Sequence, residues 1–106
     1  MNLPKELKVY YNPDKLDEEE LEPKIVKLND IKDPSMNDLI MLCLKEFDID
    51  QNESPNYLLR FKRNRLIFKD VSVALSMQEA MLVNIVDEVK EIVLRIQDIV
   101  EELYQN

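Results

Sequence analysis

Five cationic side chains, Arg60, Lys62, Arg63, Arg65 and Lys69, fall between Pro55 and Asp70 (PNYLLRFKRNRLIFKD), against one acid, Asp70. Guanidinium and ammonium groups held this close together attract and orient anions through charge-assisted hydrogen bonds, a chemistry of recognition rather than of bond-making. The rest of the chain holds 9 cationic and 21 acidic residues, so a basic spot sits on a body of charge −12 within a total of −8. Such a dipole orients a specific anionic partner. It does not suit general nucleic-acid binding, which rests on neutralising many phosphates. The same cations also have a structural use, since solvated Lys and Arg on a two-stranded ribbon discourage edge pairing.

Bond-making chemistries lack their residues. The chain has no His and one cysteine, Cys43, which excludes His/Cys zinc sites and Ser/His or Cys/His nucleophilic couples. It has no Gly, and P-loop or dinucleotide loops need backbone amides that approach phosphate without a Cβ in the way. Asp17 to Glu22 (DEEELE) reads as a solvated acidic loop, with no burial to raise a carboxyl pKa for acid–base work. Asp48 to Ser54 (DIDQNES) offers oxygen ligands but lacks the Gly and the twelfth-position Glu of a calcium loop. No enzymatic activity, cofactor or metal is expected.

The remaining bounds are those of a soluble domain. At 106 residues, 45% hydrophobic and 34% charged, the chain predicts one domain with a real core. Cys43 lies inside LIMLCL (Leu39 to Leu44) and reads as a buried, inert thiol in a reducing, cytoplasmic setting. The N-terminus lacks an apolar signal region or a Gly at position 2, and no run is long enough to span a bilayer, so membrane contact is expected to be peripheral.

The basic cluster needs a hairpin to display it. Tyr57, Leu59 and Phe61 alternate with Leu58, Arg60 and Lys62, and Leu66 and Phe68 flank Ile67, which predicts strands over 57–62 and 65–69. Lys62 to Arg65 forms the turn, with Asn64 the expected position of positive φ in the absence of Gly. Further strands are predicted at Glu6 to Tyr11 (ELKVYY), Lys24 to Asn29 (KIVKLN) and 81–86 within AMLVNIV. Ser35 is a good N-cap, with Asp38 in the capping-box position, for a helix running to about Phe47 whose wide apolar arc must lie across a sheet. Leu75 is expected to enter the core and Ser76 to Glu79 to form a helical turn. A last helix spans Asp87 to about Tyr104, with apolar residues at 89, 92, 96, 99 and 103 in 3-4-3-4 spacing. Val89 to Ile96 are expected to be covered by the domain itself, and the distal part less so.

Strand, strand, helix, strand, strand, strand, helix describes an α+β fold: a ubiquitin-like β-grasp over 1–86, a mixed sheet crossed by one helix, with an amphipathic helix over 87–106 appended. Arg65 to Phe68 (RLIF) is similar to the same phrase in ubiquitin. Taken with YLLRF, LIF, SMQEAML and the tail VLRIQDIVEELY, the chain from Leu7 to Tyr104 resembles the N-terminal ubiquitin-like GTPase-binding domain of formins, the formin C type included. The opening domain of the engulfment and motility adaptors is similar. That resemblance implies a cytoplasmic, cytoskeleton-associated regulatory piece of an actin-nucleating protein, running by its last helix into armadillo-type repeats.

Three roles follow. A Rho-family GTPase-binding module would extend the partner's sheet from the second strand, using Lys24 and Lys27. On the crossing helix, however, Lys45 is the only cation, beside Asp38 and Glu46. A module for anionic phospholipid headgroups would use Arg60, Lys62, Arg63, Arg65, Ile67 and Lys69, each cation contributing about 1 kcal/mol near an anionic surface. A purely structural cap would dock a following helical-repeat domain through Ile96, Ile99, Val100 and Leu103 and bind no ligand of its own.

Overall fold

The computed structural model describes residues 6–28 and 31–105. The chain is α+β, with a four-stranded mixed sheet and a long C-terminal helix. Strands β1 (Glu6–Tyr11), β2 (Lys24–Lys27), β3 (Tyr57–Arg60) and β4 (Glu79–Asn84) lie in the order β2-β1-β4-β3. The central pair, β1 and β4, is parallel and sets Val9 opposite Ala80 and Tyr10 opposite Met81. Both outer pairings are antiparallel, with Leu7 opposite Val26 and Leu59 opposite Leu82. Because strand side chains alternate, this register puts Leu7, Val9, Val26, Leu59, Ala80 and Leu82 on one face, all of them buried.

Helix α1 (Met36–Glu46) covers that face with Leu39, Ile40, Cys43 and Leu44. Its start is the expected capping box: Asp38 N–H donates to Ser35 Oγ at 3.1 Å, and Ser35 N–H donates to Asp38 Oδ2 at 3.0 Å. The Ser35 backbone and hydroxyl hydrogen bonds hold the Asp38 carboxyl below the usual carboxylate range. Its end is a Schellman motif built without glycine. Ile49 N–H donates to the Leu44 carbonyl at 2.9 Å and Asp48 N–H to the Lys45 carbonyl at 3.2 Å, while Asp48 takes the left-handed φ of 56°. Cys43 is buried as predicted, and the apolar surroundings push its thiol up to about 12. Helix α2 (Val71–Met77) adds Ala74 and Leu75 to the same core.

Several expected boundaries move. The second hairpin limb, 65–69, is not a strand: it is held by a single bridge from Arg60 to Ile67, with Phe61 N–H donating to Leu66 O at 2.7 Å and Phe68 N–H to Leu59 O at 3.0 Å. Phe68 is drawn into the core against Phe61, ring centroids 4.2 Å apart, and Asp70 then captures the chain as N-cap of α2, so no longer ladder can form. β3 accordingly stops at Arg60. Positive φ falls on Arg65, at 61°, and not on Asn64, whose side-chain oxygen instead accepts from Leu66 N–H. The helical turn expected at 76–79 is α2 itself, displaced toward the N-terminus, and Asn29 of the second predicted strand lies outside the described residues.

The last helix, α3, runs from Ile85 to Tyr104, two residues earlier than expected, because Asn84 caps it by accepting from the N–H groups of Val86 and Asp87. No residue of α3 is buried, and Val89, Ile92, Val93 and Ile96, expected to be covered, are 46–55% exposed. The domain meets the polar side of the helix instead, through Glu88 and Glu91. The apolar stripe therefore faces away, and the molecule is 57 Å long but only 30 by 25 Å across.

Two stability changes follow. Leu44→Ala, at a fully buried site, lowers unfolding free energy by about 2–5 kcal/mol in urea titration. Asp48→Gly raises it by about 0.5 kcal/mol, because relief of the left-handed conformation outweighs the added entropy of the unfolded chain.

Candidate functional site

The predicted basic cluster divides into groups that are free and groups already used. Arg60 faces the sheet side opposite α1, as the alternation required, but that side is covered locally and Arg60 is only 5% exposed. Its Nη1 donates to the carbonyls of Phe61 (3.0 Å) and Lys62 (3.4 Å), bracing the turn that follows it. Its Nη2 lies 3.9 Å from Glu18 and its Nε 3.7 Å from Glu88, ion pairs too long to be hydrogen bonds, and Nε has no hydrogen-bond partner. Arg60 is thus a buried structural cation, not the headgroup ligand predicted. The acidic segment is likewise no free loop: Asp17 caps a 3-10 turn over Glu18–Glu20, and that turn brings Glu18 to Arg60.

Arg65 is half-buried and paired with Glu91 at 3.3 Å. Lys62 places its ammonium over the ring of Tyr10, 4.0 Å from the centroid, a cation–π contact that ties it to the sheet. Arg63 and Lys69 are exposed. Between them stand Leu66, 61% exposed, and Ile67, 55% exposed. The loop tip therefore presents two apolar side chains flanked by two solvent-facing cations, with Lys62 and Arg65 behind. Alternation alone places Leu66 in a strand; its exposure follows from the failure of the second limb to pair.

Behind the tip is a cleft of about 350 Å³, floored by Met81 and Leu82 and walled by Tyr11, Asn12, Glu18 and the first turns of α3. Glu88 and Glu91, three residues apart on one helix face, reach Arg60 and Arg65 across it. At its edge the Tyr11 hydroxyl lies 3.4 Å from that of Tyr57. Burial, then the Tyr57 hydroxyl, then the negative charges of Asp87 and Asp14 push the Tyr11 phenol up to about 12. Among the described residues no group of three or more His, Cys, Asp or Glu could hold a metal ion, and no helix is long and apolar enough to cross a membrane.

The other predicted residues lie apart from this tip. Lys24 and Lys27 are on β2, at the opposite edge of the sheet. Lys24 is committed to its own domain: Nζ donates to the Glu46 carbonyl at 3.0 Å and sits 5.1 Å from the Phe47 ring centroid. Lys27 is exposed. Ile96, Ile99, Val100 and Leu103 all stand on the uncovered part of α3, 42–72% exposed. No protein-family description matches the chain, and no curated protein or solved structure matches it either.

Two outcomes are expected here. Glu88→Ala leaves Arg60 with Glu18 alone and costs about 2 kcal/mol in urea unfolding, less than the loss of a fully enclosed partner because the Glu88 side chain is 17% exposed. The Tyr11 phenol is raised from 10.0, so its contribution to stability is complete below pH 10 and is lost as pH rises toward 12. In spectrophotometric titration Tyr11→Phe removes a tyrosine ionisation near pH 12.

Proposed function

We propose that this chain is a non-catalytic recruitment module, a ubiquitin-like β-grasp domain of a formin-type actin regulator, that brings its parent protein to anionic membrane surfaces in the cytoplasm. The β-grasp assignment is supported by the parallel β1/β4 centre, the antiparallel outer strands and the helix crossing one face. Membrane recruitment rests on one observation: Leu66 and Ile67 project from a loop tip whose flanks carry exposed Arg63 and Lys69. Apolar side chains so displayed can enter the headgroup region while the cations meet lipid phosphates.

Magnitudes assign the two contributions. With Arg60 buried and Arg65 engaged by Glu91, the free cations supply only about 2 kcal/mol, roughly 1 kcal/mol each. Insertion of Leu66 and Ile67, each already part-buried, adds about 1–1.5 kcal/mol apiece. The sum, about 4–5 kcal/mol, corresponds to a sub-millimolar to millimolar Kd, and tight attachment then needs several copies or a second contact.

The open edge of β2 favours a second contact, with a Rho-family GTPase. Among the described residues no strand pairs with the outer side of β2, where exposed Ile25 and Lys27 stand ready to continue a partner's sheet. In that arrangement Lys27, and not the committed Lys24, meets the acidic partner.

Liposome co-sedimentation separates these roles. Arg63→Ala with Lys69→Ala weakens binding to phosphatidylserine or phosphoinositide vesicles by roughly tenfold or more and flattens its salt dependence, while Arg65→Ala has a smaller effect. Leu66→Asp with Ile67→Asp removes binding at all salt concentrations. Unchanged binding in both double variants would place the membrane contact elsewhere on the molecule. Lys27→Glu lowers affinity for GTP-loaded GTPase without altering liposome binding.

A further inference from the structure

We infer that α3 is an assembly element, which joins this chain to further copies of itself as a parallel three-stranded coiled coil. The register is legible on the helix. Val89, Ile96 and Leu103 fall at a positions, Ile85, Ile92 and Ile99 at d positions, and Val86, Val93 and Val100 at e positions. From Val86 to Leu103 these side chains are 42–72% exposed, a continuous apolar face larger than monomers ordinarily leave in water.

The occupant is chosen by charge and by width. α3 carries Asp87, Glu88, Glu91, Asp98, Glu101 and Glu102 against Lys90 and Arg95, a net −4, which opposes an anionic bilayer lying along it. Another α3 meets the same face through a, d and e, which carry no charge, and keeps the acids Asp87, Glu91, Asp98 and Glu101 at c and f, turned away from the seam. Direction follows from the g positions, Glu88, Arg95 and Glu102. In the antiparallel alignment that stacks all six a and d layers, Glu88 meets Glu102 and Arg95 meets Arg95, both repulsive. In the parallel alignment a g residue meets the e residue five positions on, so Arg95 lies against Val100, while Glu88 stays with Arg60 of its own domain.

Strand number follows from the same positions. A pair of helices in contact over about 27 Å buries on the order of 400 Å² a side, half the roughly 800 Å² of a standard stable interface, and leaves the e-position valines wet. A third strand gives each helix two neighbours and encloses a, d and e together. Isoleucine at every d position, with β-branched residues at two of three a positions, is the pattern that shifts coils from two strands to three or more. Beyond the first heptad the domain does not obstruct this, since its ties to α3 are at Glu88 and Glu91, near the start of the helix.

Sedimentation equilibrium of the full chain at a few hundred micromolar tests the assembly. The expected mass is near 38 kDa, three times the 12.6 kDa of one chain; a mass of one or two chains at that concentration overturns the inference, whether the face then awaits a following helical repeat or stays bare. Ile96→Asp, in the seam, returns the protein to a single chain, whereas Leu94→Asp, equally exposed but at an f position, leaves the mass unchanged. Loss of assembly in both variants would mark nonspecific adhesion and overturn the register. Neither change touches the core, and unaltered amide resonances for Leu7 to Leu82 confirm that the domain stays folded. Gln105→Cys reads direction: rapid disulfide linkage between copies is expected for parallel strands, and failure to link in a trimer of confirmed mass overturns the parallel arrangement.

Discussion

A guanidinium that is only 5% exposed has to be neutralised where it stands, and much of this molecule's shape follows from how Arg60 is neutralised. The carbonyls of Phe61 and Lys62 take two of its hydrogen bonds and tighten the turn, Glu18 holds the acidic 3-10 turn over the sheet, and Glu88 holds the start of α3. Three segments remote in sequence therefore meet at one charge. With Arg65 and Glu91 as a second tie, α3 is seated by its polar side, and its apolar side must look outward.

The chain separates burial from display. Its main core lies wholly on the α1 side of the sheet, where Leu7, Val9, Leu39, Cys43, Leu44, Leu59 and Leu82 are nearly inaccessible. The opposite side carries Tyr10, Met81 and Arg60 under a thin cover of Lys62 and charged side chains, and it leads to both exposed surfaces, the Leu66–Ile67 tip and α3. A sparsely covered sheet face can carry ion pairs and a polar cleft that a hydrophobic core would exclude.

The absence of glycine shows in the backbone. Among the described residues five, Lys15, Asp33, Asp48, Arg65 and Gln78, adopt φ between 52° and 62° without being glycine. Asp48 and Gln78 end α1 and α2, and Arg65 turns the basic loop. Each spends stability where glycine would be nearly free, yet each has fewer unfolded conformations to lose.

Periodicity and capping residues, which act over a few neighbours, were enough to place β1, the start of α1 at Ser35, the burial of Cys43 and Leu75, and the long amphipathic α3. Those features depend on local geometry and on which side chains avoid water, and both are written in residue order. The same alternation put Arg60 opposite the core correctly but could not say whether that face was open, because Glu18 and Glu88 are distant in sequence. Nor could it show that Phe68, drawn onto Phe61 and followed by the Asp70 cap, would end the second hairpin limb after one bridge and leave Leu66 and Ile67 in solvent. The direction of the α3 stripe was decided in the same way. A 3-4 spacing defines an apolar face, but which side of the helix meets the domain depended on the competition between that face and two glutamates with arginines to pair, and only the folded arrangement brought those arginines within reach.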